Sequence, residues 1–380
     1  MFAISRLNKS RLANWWWTVD KVTLGMTLVL IFIGAFLVFS ASPPVARTLI
    51  NKGLGISEYH FIKRQIAFIL ISLGGMLFLS MLRLKTIRRL AILGYVGAII
   101  LTLATLFIGF ETKGSSRWIS ILGVSIQPSE FLKPTFVIVS AWLIEGSKKC
   151  EEFPGRLLSF GLYIFTISIL LLQPDVGMSL VISSIWFFQL FLSGISFLTF
   201  VWLGLLFIIA GIGAYFTFDH VHTRVNAFFS SGDGLPEQVA RSLKAFENGN
   251  LLGKGPGEGV VKLHLPDAHT DFIFAVVGEE FGVWLCIIIV LLFSAIVIRS
   301  LFLSLKDSNL FIIYASAGLA ASFGLQGIIN MASTLNLIPT KGMTLPFISY
   351  GGSSLLSSAV CIGMLLAITR KNSSAEDKDI

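Results

Sequence analysis

Ten predominantly apolar stretches recur along the chain, most of them near the roughly 20 residues that a helix needs to cross the hydrocarbon core of a bilayer. They cover 22–42, 62–82, 89–110, 131–145, 157–173, 175–193, 195–217, 272–298, 309–334 and 345–369. The stretch at 131–145 is short, and the fifth and sixth meet at Gln173-Pro174-Asp175. Inside lipid no water bonds a free N–H or C=O, so runs of this length must satisfy their backbone internally as helices. The expected fold is an all-α integral membrane protein, a bundle of about ten transmembrane helices. One long extracytoplasmic connection, 218–271, joins spans seven and eight. Composition sharpens what this excludes: 54% of the 380 residues are hydrophobic and 13% charged, against roughly 25% charged in a soluble domain. A soluble enzyme, a disordered regulator and a coiled coil are ruled out.

The first stretch ends in Ser40-Ala41-Ser42, which resembles a signal-peptide cleavage site, but it is too long for such a segment and nine more follow. It is read as a retained span anchored at the interface by Trp15, Trp16 and Trp17. An even number of spans puts both termini on one side, and basic residues choose the side. Arg6, Lys9, Arg11 and Lys21 precede span one. Arg83, Lys85, Arg88 and Arg89 link spans two and three, and Lys148, Lys149 and Arg156 follow span four. Arg299 and Lys306 follow span eight, and Arg370 and Lys371 follow span ten. All fall on one face of a ten-span arrangement, which is therefore cytoplasmic. The chain divides into a cytoplasmic segment 1–21, a membrane domain 22–369 and a cytoplasmic tail 370–380. The net charge of +8 is thus explained without nucleic acid. Cys150, Cys286 and Cys361 have no metal-type spacing, so neither a disulfide framework nor a zinc site is expected.

The opposite face carries 43–61, 111–130, 335–344 and the long connection 218–271, which holds His220, His222, His264 and His269. Its Gly253-Lys254-Gly255-Pro256-Gly257-Glu258-Gly259 stretch lacks the order of a phosphate-binding loop. His220 and His222, on a strand-like stretch, have no partners at metal-ligand spacing, so no metal site is expected. Leu265-Pro266-Asp267-Ala268-His269-Thr270-Asp271 leads directly into span eight. At about 100° per residue, Ala275, Gly278 and Gly282 fall within about 40° of Asp271, so the carboxylate heads a stripe of small residues where another helix can approach closely. Glu279 and Glu280 lie off that stripe in different directions and cannot share one role. Partial desolvation at such a seam would raise the basicity of Asp271; a helix-capping role is the competing reading.

Arg117-Trp118-Ile119 and Gln127-Pro128-Ser129-Glu130-Phe131-Leu132-Lys133 form a second group, with Ser129 as a candidate N-cap and Glu130 and Lys133 on one helix face. They serve either as a structural ion pair or as a cationic site, with Arg117 and Lys133 facing an anionic head group and Glu130 orienting the lysine. A third group is Ile338-Pro339-Thr340-Lys341-Gly342 followed by Pro346-Phe347-Ile348-Ser349-Tyr350-Gly351-Gly352-Ser353-Ser354. Amides at a glycine-rich helix start, with Lys341 beside them, suit an anion; a plain glycine-rich turn is the alternative. Gln326 and Asn330 share a face of span nine and suit helix–helix bonding.

In order along the chain, these segments resemble the SEDS family (shape, elongation, division and sporulation) of bacterial cell-wall polymerases, and within it the cell-division branch. The matching segments are Lys113 to Ile119, Gln127 to Lys133, Gln173-Pro174-Asp175, Gln238 to Phe246, Leu265 to Glu280, Asn330-Met331 and Leu337 to Ser354, spanning about 20 to 370. Thr340-Lys341 points to the division branch, because the rod-shape branch usually lacks that pair. Gly249-Asn250 stands where Gly-Gly is more usual, and Glu237 where an aromatic is common.

The resemblance implies a peptidoglycan glycosyltransferase that polymerises lipid II on the outer face of the bacterial cytoplasmic membrane during septal wall synthesis. It implies a ten-helix bundle with a cavity open to the outer leaflet. It makes Asp271 the essential aspartate and places Arg117, Glu130 and Lys133 in the central cavity. Lys341, Ser349, Gly351, Gly352, His269 and Thr270 complete the candidate substrate-binding set. Partners implied are lipid II, a class B penicillin-binding protein transpeptidase and other division proteins. The chain carries no cofactor motif, and a divalent cation is the one cofactor the chemistry would admit. Two other readings compete: a lipid II flippase, which would need polar gates on both faces, and a division scaffold, which would need none of these carboxylates.

Overall fold

The computed structural model describes residues 10–51, 57–112, 115–121, 123–229 and 236–371. Expectations that fall on 1–9, 372–380 and Lys113-Gly114 lie outside the described residues, as do 52–56 and 230–235 within the connections. In chain order come α1 (Arg11–Thr18), α2 (Lys21–Asn51), α3 (His60–Ser80) and α4 (Leu84–Ile108), then a small sheet of β1 (Phe110–Thr112), β2 (Ser115–Ile121) and β3 (Val124–Ile126). There follow α5 (Ser129–Lys149), α6 (Gly155–Leu172), α7 (Val176–Leu192), α8 (Phe197–Thr217), α9 (Asp219–Phe229), α10 (Glu237–Gly249), α11 (Ile273–Ser304), α12 (Leu310–Thr334) and α13 (Gly352–Ile368).

Each apolar stretch contains a helix, although 345–351 of the last is non-helical and α13 begins only at Gly352. Among the described residues, α2, α3, α4, α6, α8, α11 and α12 are long and apolar enough to cross a membrane, and α7 and α13 are shorter apolar helices. The stretch read as short, 131–145, sits in a 21-residue helix, α5, whose ends are charged: Glu130 and Lys133 at one, Glu145, Lys148 and Lys149 at the other. Charge hid its length from the hydropathy pattern.

Several connections differ from expectation. Helix α2 continues past Pro43 and Pro44 to Asn51, because a proline's fixed φ already suits a helix and its penalty is the missing donor and local crowding. The connection 111–130 holds a small antiparallel sheet, ordered β1-β2-β3, a local addition to a fold that is otherwise helical, as expected. The long connection contains two helices and a 3₁₀ turn at Val261–Leu263, and His222 lies on a helix, not a strand. Ser129 begins α5, but the N-cap position is Pro128, with no side-chain cap; the Ser129 hydroxyl instead accepts from Gln127 Nε2 at 3.2 Å.

Helix α1 is capped by Ser10, whose Oγ accepts from Ala13 N at 3.2 Å. Of its three tryptophans Trp15 turns inward, donating from Nε1 to Ser80 Oγ at 2.9 Å. Trp16 and Trp17 face out, with the Lys21 ammonium 4.8 and 4.7 Å from their rings. Asp20 accepts from Thr23 N at 3.2 Å and from Arg299 at 2.6 and 2.7 Å. Burial opposes the Asp20 charge, but the hydrogen bonds from Arg299 and Thr23 outweigh it and hold the carboxyl below its ordinary value. Lys371 N donates to Thr18 O at 3.0 Å, so the two ends of the described chain meet.

The core runs between α5, α7, α11, α12 and α13, around Phe136, Trp186, Phe311, Leu319 and Ile362. Helix α8 is different, since none of its residues is buried. Helix α11 is broken at Gly282, whose φ of 71° and ψ of −169° belong to a region that only glycine enters readily. The break leaves carbonyls of the preceding turn without helical partners, and the connection takes them up. Lys254 N donates to Glu279 O at 3.0 Å and Gly255 N to Glu280 O at 2.9 Å. The glycine-rich stretch thus uses amides on protein carbonyls, not on a phosphate. The small-residue stripe is covered as expected: the Phe246 ring of α10 occupies the space where a Gly278 side chain would be.

Candidate functional site

The turn before α11 is fixed through three successive carbonyls. Tyr350 N donates to His269 O at 2.8 Å, Ser349 Oγ to Thr270 O at 2.6 Å, and Asn330 Nδ2 to Asp271 O at 2.8 Å. Asn330 also donates to Met343 O at 2.6 Å, and Ser349 Oγ accepts from Leu345 N at 2.8 Å. Backbone and side chains of 343–350 therefore clamp 269–271, and the half-buried Asp271 carboxylate is held beside Gly342, where an added Cβ would lie 3.2 Å from Oδ2. Ser349, expected to face an anion, is engaged in this clamp. The His269 ring packs between Phe61 and Tyr350, with centroids 5.0 and 5.3 Å away. Burial pushes its pKa down to about 4, with Asp267 pulling the other way, so the imidazole is neutral at pH 7.

Lys133 and Glu130 are both buried, and Lys133 Nζ donates to Glu130 Oε2 at 2.7 Å and to Gln326 Oε1. Gln326 Nε2 donates in turn to Thr344 O at 3.1 Å and Ser354 Oγ at 3.3 Å. Ser357 Oγ donates to Glu130 O at 2.7 Å. This network ties α5, α12 and the start of α13 together, so the ion pair and the helix-bonding glutamine are one unit. Gly351 is the N-cap of α13, and a Cβ on Gly352 would meet the Phe68 ring of α3 at 2.5 Å.

A second cation group stands at the start of α7. Arg117, on β2, donates from Nη2 to Pro174 O at 2.6 Å and lies 3.5 Å from Asp175 Oδ1 through Nη1. Asp175 caps α7, accepting from Met178 N at 3.0 Å. Gln173 anchors the same segment to α4 by donating to Thr102 O at 3.0 Å and to Thr105 Oγ1. Lys341 Nζ donates to Gly177 O. Burial pushes the Lys341 ammonium down to about 7; Asp175 and Glu130 oppose that shift, and Lys133 and Arg117 add to it.

Arg224, on α9, belongs to the same electrostatic group. Its pKa is held below the ordinary arginine value by burial first and then by Arg117, with Asp175 and Asp271 acting in the opposite sense. It stays a cation at any physiological pH. Sequence reasoning did not single out Arg224, and it named Asp175 only within the Gln173-Pro174-Asp175 segment, with no role. Asp175 was legible, because an aspartate after a proline and before an apolar run is a capping signal. Arg224 carried none.

Other charged residues near α11 serve the fold. Glu279 Oε1 accepts from Asn248 Nδ2 at 2.9 Å, Val260 N at 2.8 Å and Val261 N at 2.7 Å, while Oε2 accepts from Lys262 N at 3.0 Å. Glu280 pairs with Lys262 Nζ and accepts from Ser40 Oγ at 2.6 Å. The two glutamates have separate roles, as their helical angles require. Among the described residues no three His, Cys, Asp or Glu side chains gather as a metal-ligand set.

The family model described as "Cell cycle protein", covering FtsW, RodA and SpoVE, matches residues 21–374. The probable peptidoglycan glycosyltransferase FtsW of Caulobacter vibrioides is 41% identical over 375 residues, 98% of this chain and 95% of the relative. Its namesake from Trichlorobacter lovleyi is 35% identical over 370 residues, 92% of this chain and 93% of the relative. Among solved structures, a chain from a study of how a peptidoglycan synthase complex coordinates polymerization and crosslinking superposes with a TM-score of 0.72 at 22% identity, covering 95% of this chain and 99% of that one. The rod shape determining protein RodA of Thermus thermophilus gives a TM-score of 0.66 at 23% identity, covering 93% and 97%. These superpositions concern the fold.

Proposed function

The chain belongs to the FtsW, RodA and SpoVE family of membrane-embedded SEDS proteins, and from that membership we propose that it is a peptidoglycan glycosyltransferase polymerising lipid II during septal wall synthesis. The observation that carries the reading is the clamped Asp271 turn together with Arg224, which interacts with both Asp271 and Asp175, and with Arg117 and Lys341, which gather around Asp175. Lipid II is a disaccharide-pentapeptide carried on a polyprenyl pyrophosphate. Extending a glycan needs a base for the acceptor sugar hydroxyl and positive charge for the departing pyrophosphate. In this reading Asp271 takes the proton as the new glycosidic bond forms and the bond to pyrophosphate breaks. Arg117, Lys341 and Arg224 face the anion, while His269, Thr270 and Ser349 hold the turn. Lys133 and Glu130 tie α5 to α12 and α13 beneath the site, and Gly351 and Gly352 open α13 there. A divalent cation would enter with the pyrophosphate it neutralises.

The proposed setting is a ten-span arrangement in the bacterial cytoplasmic membrane at the septum, with both termini cytoplasmic and the Asp271 turn outside. The contact between Lys371 and Thr18 and the basic links on that face support it. A class B penicillin-binding protein is the proposed transpeptidase partner, in keeping with the peptidoglycan synthase complex among the structural neighbours.

Purified protein with its partner, supplied with labelled lipid II, should build glycan chains. Asp271→Asn and Asp271→Ala should each lower the rate by about 10²–10⁴-fold, the usual worth of a general base. Robust polymerisation by both variants would remove Asp271 as the base. Wild-type protein that translocates lipid II in vesicles without polymerising it would replace the reading with the flippase.

A further inference from the structure

Two site cations attach at the start of α7, Arg117 to the carbonyl just before its cap and Lys341 within its first turn, and helix electrostatics make that an unfavourable place for them. A helix N-terminus presents unbonded N–H groups and the positive end of the macrodipole, which attract anions and repel guanidinium and ammonium groups. Yet Arg117 bonds to Pro174 O and Lys341 to Gly177 O. Two features of the turn remove the conflict.

The first is Asp175. Its side chain is 6% exposed, its Oδ1 accepts from Met178 N at 3.0 Å, and the same oxygen lies 3.5 Å from Arg117 Nη1. A full negative charge at the cap outweighs the partial positive charge of the helix end, so cations can gather there. The second is Gly177. A Cβ at this position would overlap Lys341 Cε and would approach its Cγ and Cδ to 2.9 and 3.0 Å. The lysine stem lies in the slot left by the missing side chain. Glycine costs about 1 kcal/mol relative to alanine inside a helix, and helix formation gives no reason for it here. The slot does.

We infer that Asp175 and Gly177 are positioning residues: the start of α7 holds Arg117 and Lys341 together as a cation pair set for a pyrophosphate-bearing substrate. The substrate in this statement rests on the proposed glycosyltransferase reading; the geometry does not. Asp175 acts on Arg117 through charge, and Gly177 acts on Lys341 through space. Neither needs to touch substrate.

The two effects predict specific couplings. Gly177→Ala, a change that favours the helix, should lower kcat/KM for lipid II roughly tenfold, and in a Lys341→Ala background it should lower it no further. Asp175→Asn should likewise lower kcat/KM in the wild type but not in the Arg117→Ala, Lys341→Ala double variant. A readout without substrate tests the position directly: pH-dependent labelling of Lys341 by an amine-reactive reagent, followed by mass spectrometry. Lys341 is surrounded by Asp175, Arg117, Lys133 and Glu130, and its labelling midpoint should lie near 7 in the wild type and move toward about 10, the free lysine value, in Gly177→Ala. Losses that multiply equally in both backgrounds, or a midpoint unmoved by Gly177→Ala, would overturn the inference. Wild-type protein that builds no glycan would sink the glycosyltransferase reading instead, and the labelling midpoints would still decide the position of Lys341.

Discussion

Lys341 shows how one side chain can couple the site to pH. Its ammonium is pushed to about 7 by burial first, so in the free enzyme it is half-protonated near neutrality. In the proposed function, the anionic substrate needs the charged form of this lysine. The kcat/KM for lipid II should therefore fall as pH rises from 7 to 9, and Lys341→Gln should lose that limb and stay low throughout. Stability runs the other way. The unfolded chain keeps its lysine proton to about 10.4, so between about 7 and that value it binds more protons than the native state, and folding gains from rising pH. A fall in activity over this window without a fall in thermal stability separates titration from unfolding. At this scale the sequence was partly readable. Asp271, Arg117, Lys133 and Lys341 stand in recognisable surroundings. Ser349 does not, because whether a hydroxyl faces a ligand or clamps Thr270 O depends on a segment 79 positions away.

At the scale of elements, the helices were legible because lipid imposes a length and an apolar composition on each. What escaped was how helices end and break. Charge at both ends of α5 masked a full-length helix, and Pro43-Pro44 did not stop α2. Gly282 was read as one of a stripe of small residues, which is right for Gly278 but incomplete for Gly282. Its φ of 71° opens α11, frees the carbonyls of Glu279 and Glu280, and lets residues 253–255 pair with them. An alanine there would meet the Leu251 carbonyl and adopt a strained backbone. Gly282→Ala should destabilise the protein by about 2 kcal/mol or more, measured as a lower thermal midpoint in nanodiscs. Alanine at the exposed Gly211 of α8, which meets no neighbour, should raise it slightly or leave it unchanged.

Across the whole molecule, the long connection is fastened by charge. Lys262 and Glu280 are buried, with side chains 3% and 0% exposed, and Lys262 also reaches Ser40 O of α2 at 3.4 Å and Gly257 O at 3.0 Å. Removing one partner leaves an uncompensated buried charge, so Glu280→Gln should lower stability by about 3–5 kcal/mol. Lys262→Met combined with Glu280→Leu should recover most of that loss in the same thermal assay. No pattern in the sequence pairs these two residues, which stand 18 positions apart on either side of the turn that leads into α11. Burial is equally uneven along the bundle: 72% of the apolar window of α12 is buried within the protein, and none of that of α8. The difference is one of information. Nearly every position in α12 must match a particular neighbour, so the order of its residues carries the fold. Beyond ring contacts such as Phe187 with Phe207 and the bond from Tyr215 Oη to Asn226 Oδ1 of α9 at 2.9 Å, α8 has mainly to be long and apolar. Away from Phe207 and Tyr215, its letters can be shuffled where those of α12 cannot, and over time those positions should drift in order while staying fixed in composition.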